Sequence, residues 1–234
     1  LELGGKNPNM IFADADLEKA IKTTLSSSFL NQGEICLCGS RVFVERSVYD
    51  QVRDQLVAGA KAMKVGPPHL EDSRLGAIVS EPHFNKVLSY IALAKQEGAK
   101  VLCGGHAVRP EGYEKGWYIA PTILENLAYD CRCNQEEIFG PVITLTPFDS
   151  EEEVLAMANS TEYGLAATLW TENLTRAHRM AARLQMGIVW INCWLLRDLR
   201  TPFGGAKSSG VGREGGWEAM RFFTEPKNVC VSLS

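Results

Sequence analysis

The residues best suited to chemistry lie in one stretch, Asn31-Gln32-Gly33-Glu34-Ile35-Cys36-Leu37-Cys38-Gly39-Ser40-Arg41. It sets a cysteine in a glycine-flanked turn between a helical run and a β-branched run. Cysteine is the side chain best matched to attack on a carbonyl carbon near neutral pH, because a modest environment yields its thiolate. The competing reading is a buried, inert thiol, which is the common fate of a cysteine.

Other candidate motifs do not hold up in their context. Gly210-Val211-Gly212-Arg213-Glu214-Gly215 spells a dinucleotide fingerprint, but it follows a loop and the chain soon ends, whereas a genuine fingerprint leaves a strand and opens a helix. Gly204-Gly205-Ala206-Lys207-Ser208 lacks the glycine spacing of a phosphate loop. The four histidines are dispersed, and the pairs Cys36/Cys38 and Cys131/Cys133 have C-x-C spacing without a matching second pair, so no zinc site is expected. Gln32, Cys38 and His178 together suggest a papain-like thiol hydrolase. The signature of that group is missing, since Cys38-Gly39-Ser40 runs on to Arg41, and this stays a remote alternative.

The elements that must position the turn follow from periodicity. Met10-Ile11-Phe12 reads as a strand. Asp14 and Asp16 are expected to cap a helix whose buried face is Leu17, Ala20, Ile21, Thr24, Leu25, Ser28 and Phe29. That helix delivers the chain to Cys36. Val42-Phe43-Val44 is a strand, and Ser47 with Asp50 signals a helix to about Met63. Helices are further expected over 82–96, from Ser150 to about Asn159, over 174–184 and over 217–223. Strands are expected near 101–102, 118–119, 122–124, 143–145, 168–170 and 188–191. Residues 202–216 read as loop, and Lys227 to Leu233 alternates as a lone terminal strand that wants a partner edge. Strands alternating with helices predict an α/β fold with helices on the faces of the sheet.

With 234 residues and a net charge of −4, the chain can bury a real core and carries no basic block, so nucleic-acid or membrane-surface binding has no support. No apolar run reaches membrane-spanning length. Seven scattered cysteines without a secretory signal suit free thiols in a reducing compartment such as the cytoplasm.

Four motifs in order carry a resemblance. Leu1-Glu2-Leu3-Gly4-Gly5-Lys6-Asn7-Pro8, then Asn31 to Cys36, then Glu136-Glu137-Ile138-Phe139-Gly140-Pro141, and finally Pro202-Phe203-Gly204-Gly205-x-Lys207-x-Ser209-Gly210 resemble the signatures of the aldehyde dehydrogenase superfamily. The resemblance implies the α/β catalytic domain of that family. Residues 1–3 would end the cofactor-binding domain, 4–208 would form the catalytic domain, and 209–234 would return towards the first and end in an oligomerisation strand. It implies Cys36 as the nucleophile, forming a thiohemiacetal and then a thioester, and Glu2 as the general base. The Cys36 N–H would serve the oxyanion, together with a family asparagine expected upstream of residue 1. Glu137 and Phe139 would meet the nicotinamide side of NAD. The stretch from Asn192 to Gly205 resembles the branch that oxidises 2-aminomuconate and 2-hydroxymuconate semialdehydes, substrates with a remote carboxylate. Arg197, with Arg200 second, is the expected partner of that group, because a guanidinium fork suits a carboxylate. The alternative for Arg200 is an ion pair with Asp198. Trp194, Phe203 and Leu37 are expected to wall the pocket. A small-molecule aldehyde and a homodimer or homotetramer are the implied partners.

The family binds NAD mainly through a Rossmann-like domain that precedes the Glu2 motif, and that domain is missing from these residues. The chain reads as the C-terminal part of a longer enzyme. The alternative of another class is a truncated, inactive partner of full-length subunits.

Overall fold

A computed structural model describes residues 1–233. The chain forms strands β1 (Pro8–Ile11), β2 (Arg41–Glu45), β3 (Lys100–Cys103), β4 (Ala107–Val108), β5 (Tyr118–Ile119), β6 (Thr122–Glu125), β7 (Val142–Phe148), β8 (Tyr163–Gly164), β9 (Ala166–Trp170), β10 (Ile188–Ile191) and β11 (Ala206–Lys207). The helices are α1 (Leu17–Phe29), α2 (Tyr49–Lys61), α3 (Glu81–Gln96), α4 (Arg132–Gln135), α5 (Glu151–Asn159), α6 (Leu174–Arg183) and α7 (Gly216–Phe223).

Seven strands join one sheet in the order β10-β9-β1-β2-β7-β6-β3. Every neighbouring pair is parallel except β3 with β6, which is antiparallel and closes one edge. Successive side chains of a strand point to opposite faces. Accordingly Ile11, Val42, Val44, Ile143 and Leu145 pack under α1 and α2, while Met10, Phe12, Phe43, Ala167 and Leu169 pack with residues of α5 and α6. Both faces are covered, as parallel sheets require.

Most expected elements appear within a residue or two, and four expectations need correction. Asp16 alone caps α1, accepting from the Lys19 N–H at 3.1 Å; Asp14 instead accepts from Thr171 Oγ1 and pairs with Arg176. Ser47 does not cap α2, because a single 3-10 turn over Arg46–Val48 takes it up and its hydroxyl turns to Glu45. The 202–216 loop contains β11, which pairs antiparallel with β8. Lys227 to Leu233 forms no strand: an extended segment becomes one only when another edge pairs its N–H and C=O groups, and no edge within the described chain does so.

One buried cation ties the sheet together at the amino end of β2. Arg41 is 1% exposed. Its guanidinium donates to the carbonyls of Lys6 (3.0 Å), Met157 (2.8 Å) and Ala158 (2.8 Å), so it serves the last turn of α5 and the approach to β1 at once. Burial pulls its pKa down to about 9. Replacing Arg41 by Met strands the buried Lys6 and Ala158 carbonyls and leaves the Met157 carbonyl with Ser160 alone. The expected loss is about 3 kcal/mol or more, read as a lowered urea midpoint with an unchanged slope; an unaltered midpoint would contradict this account of the β1–β2–α5 junction.

Candidate active site

The parallel pairing of β1 with β2 sets Pro8 opposite Arg41 and so brings the approaches to the two strands side by side. One approach is Glu2 to Asn7, the other Cys36 to Ser40. The approach to β7 carries Glu137 and Phe139, and it lies beside them because β2 pairs with β7. The candidate residues thus gather at the amino ends of the parallel strands, opposite to the carboxyl ends that open α/β sheets ordinarily use.

The turn itself is held in an unusual backbone. Asn31, Gln32 and Gly33 have φ of 52°, 46° and 74°, three left-handed residues in succession. For each of the two non-glycine residues this costs on the order of 1–2 kcal/mol. A Cβ on Gly33 would strike the Gly140 carbonyl, so the third must be glycine. Side chains offset the strain. Gln32 donates to Glu34 at 3.0 Å and accepts from the Gly76 N–H at 3.3 Å, and Glu34 accepts from the Val79 N–H at 3.1 Å. His83 adds a brace, with Nε2 2.6 Å from the Phe139 carbonyl and 3.7 Å from Glu34.

Cys36 is half-buried against an apolar cluster that includes Leu37, Phe203, Trp190 and Trp194. Leu37, Trp194 and Phe203, the expected wall residues, share this cluster with Cys36. Its thiol pKa is raised, first by burial and then by the carboxylates of Glu2 and Glu137, with Arg197 acting in the opposite sense. This corrects the expectation of a readily formed thiolate. An apolar surround and two anions both disfavour a third negative charge, so a base must take the proton. Cys38 is worse placed: it is buried and pushed up to about 12, while His178 lies exposed on α6, which leaves the thiol-hydrolase reading without a nucleophile.

Glu2 reaches the same site. Its pKa is raised, first by burial and then by the like charge of Glu214, which lies within hydrogen-bonding reach. Glu214 in turn accepts from Arg197 Nη2 at 3.1 Å, and the Arg197 guanidinium stacks 4.0 Å from the centroid of Phe203. Glu2, Glu214 and Arg197 form a chain of charges leading towards Cys36. Arg200 stands apart, 87% exposed in its side chain and forked onto Asp198 at 2.5–3.1 Å, as its alternative reading expects.

Glu137 Oε1 accepts from the Gly5 N–H at 2.8 Å. No described residue donates to its Oε2, which is left as an acceptor. Phe139 has φ 61° and packs edge-on against His83, ring centroids 5.9 Å apart. Lys6, next to Gly5, is buried and pushed down to about 7, first by burial and then by Arg41.

Sequence reasoning gave no role to Asn7 or Glu214. Asn7 is buried, and its amide joins the Cys36 turn to β9. Glu214 sat inside the rejected fingerprint. That stretch pairs with the chain start: Leu3 N–H donates to the Ser209 carbonyl at 2.9 Å and Val211 N–H to the Leu1 carbonyl at 3.2 Å, which puts Glu214 beside Glu2. Among the described residues no group of three or more His, Cys, Asp and Glu side chains could hold a metal ion, and no helix is long and apolar enough to cross a membrane.

The nucleophile turn, paired carboxylates and mixed α/β sheet define a class, and comparison with known proteins identifies it. The model of the aldehyde dehydrogenase family matches residues 1–229, and the chain belongs to that family. It is 51% identical over 234 residues to 2-aminomuconic semialdehyde dehydrogenase of Bos taurus, with 99% of this chain and 48% of that protein covered. It is 50% identical to 2-hydroxymuconic semialdehyde dehydrogenase of Pseudomonas putida, covering 100% of this chain and 48% of that protein. Among solved structures, the NAD+ complex of aldehyde dehydrogenase from Bacillus cereus superposes with a TM-score of 0.95 at 44% identity, covering 100% of this chain and 47% of that one. The chain spans about half the length of the curated relatives it matches.

The electrostatic chain gives signed expectations. Glu2→Gln removes an anion and should lower the pKa of the Cys36 thiol, whereas Arg197→Ala removes a cation and should raise it. The pH dependence of Cys36 alkylation reads both; shifts of the same sign in the two variants would refute the assignment.

Proposed function

We propose that this chain is the catalytic part of an NAD-dependent dehydrogenase that oxidises a carboxylate-bearing semialdehyde, of the 2-aminomuconate or 2-hydroxymuconate type, to the acid. The observation that carries the reading is the convergence of Cys36, Glu2 and Arg197 on one apolar-walled site. The substrate class is supported by the names of the most similar relatives and by the guanidinium of Arg197 beside that site.

The residues divide the work as follows. Glu2, a carboxylate whose pKa is raised by desolvation and by Glu214, takes the Cys36 proton. The thiolate adds to the aldehyde carbon, and the carbonyl oxygen becomes an oxyanion facing the Cys36 N–H. NAD, when bound, supplies the hydride acceptor that leaves a thioester on Cys36. Glu2 releases that proton to solvent and then takes one from water; the hydroxide displaces the thiolate from the thioester, freeing the acid, and the thiolate regains the proton from Glu2. Glu137 Oε2, left open while Oε1 accepts from the Gly5 N–H, would hold a ribose hydroxyl, and Phe139 would lie on the nicotinamide side. These residues fit that end of the dinucleotide only.

Residues 1–3 would end the cofactor-binding domain, 4–208 would form the catalytic domain, and 209–234 would return towards the first and end in the oligomerisation segment. The exposed row of Val229, Val231 and Leu233 would pair with another subunit in a homodimer or homotetramer.

Two variants test this in the longest natural product that contains the chain. Cys36→Ser should abolish NADH formation. Arg197→Ala should raise KM for a carboxylated semialdehyde by about ten- to a hundredfold, the value of a charged hydrogen bond, and leave a plain aliphatic aldehyde nearly unaffected. Equal effects on the two substrates would remove the specificity role of Arg197, and turnover by the serine variant would remove the nucleophile.

A further inference from the structure

Three successive carbonyls follow the proposed nucleophile, and a side-chain N–H holds each of them. Asn7 Nδ2 donates to the Cys36 carbonyl at 2.7 Å and to the Cys38 carbonyl at 2.9 Å. Between them, Trp194 Nε1 donates to the Leu37 carbonyl at 3.1 Å. Asn7 is 3% exposed, and its Oδ1 accepts from the Ala166 N–H at 3.0 Å, so the amide is fixed to β9 on one side and grips the turn on the other.

The loop that presents Trp194 is built to do so. Asn192 and Leu195, on either side of it, have φ of 54° and 58°. A leucine in the left-handed region is disfavoured and persists only where its surroundings over-determine it. Here Asn192 exchanges two bonds with the Thr171 backbone, at 3.0 and 2.9 Å, and Trp190 Nε1 donates to the Leu196 carbonyl at 3.0 Å. Pinned at both ends, the loop doubles back from the carboxyl end of β10 and carries the indole N–H to the nucleophile turn. The same loop continues to Arg197.

We propose that Asn7 and Trp194 are positioning residues that lock the peptide planes after Cys36, so that the loop facing the substrate also sets the aim of the nucleophile. This rests on the reading of Cys36 given above and extends it. The φ and ψ torsions between rigid peptide planes are the soft hinges of the turn. If one carbonyl loses its donor, the turn rotates to find another, and Cys36 Sγ and the Cys36 N–H move with it. Attack geometry is steep in distance, so a displacement of about 1 Å is worth up to a hundredfold in rate.

The decisive variant is Trp194→Phe, which keeps an aromatic wall and deletes the N–H. Steady-state kinetics and the rate of Cys36 alkylation by iodoacetamide are measured in the longest natural product that contains the chain. The expected result is a fall in kcat of about tenfold or more, KM for the aldehyde within about twofold, and a parallel fall in the alkylation rate. Asn7→Asp, which keeps the acceptor for Ala166 N–H and removes both donors, should show the same pattern more strongly. A Trp194→Phe protein with raised KM but unchanged kcat and alkylation rate would make Trp194 a wall only and overturn the proposal, whether or not the Asn7 variant folds. Turnover retained by Cys36→Ser would instead overturn the reading of the site on which the proposal rests.

Discussion

The constraint on which the site depends is the parallel pairing of β1 with β2. Parallel neighbours start at the same edge, so the segments that precede them are forced together, whatever their separation in sequence. Pro8 opposite Arg41 therefore brings Gly4 to Asn7 against Cys36 to Ser40. The fit is close enough that a Cβ on Gly5 would lie 2.5 Å from the Cys36 carbonyl. The buried Arg41 guanidinium keeps the junction closed by serving carbonyls from the approach to β1 and from the last turn of α5 together.

The electrostatics of the site follow from that crowding. A half-buried thiol with two carboxylates nearby has little tendency to ionise unaided. Desolvation and the neighbouring Glu214 carboxylate raise Glu2 as well. Both shifts have the same two causes, desolvation first and like charge second. Arg197 moderates both, being the cation that offsets Glu2 and Cys36 while it is held over Phe203 and against Glu214.

Backbone strain is concentrated where side chains have to be aimed. The left-handed run from Asn31 to Gly33 and the left-handed Asn192 and Leu195 flank the two segments that meet at the nucleophile turn. In each case partly buried polar side chains hold the backbone: Gln32 and Glu34 in the first, Asn192 against the Thr171 backbone in the second. The polar groups of these loops are thereby satisfied in pairs, which is what allows irregular backbone to sit against an apolar cluster.

The sequence by itself determined the local elements, the cysteine turn, the motif residues and the family resemblance. Periodicity and capping are local properties, so α1 and α5 were legible, with Asp16 and Ser150 as their caps. It misjudged Ser47 and Asp14, whose partners depend on neighbours in space, and it gave the terminal segment a strand that needs an edge from elsewhere. Only the tertiary structure decided that burial and two carboxylates raise the Cys36 thiol, that Arg197 stacks on Phe203 and pairs with Glu214 while Arg200 pairs with Asp198, and that Glu214 adjoins Glu2. Each of these turns on distance and burial between residues far apart in the chain, and spacing along a sequence carries no measure of either.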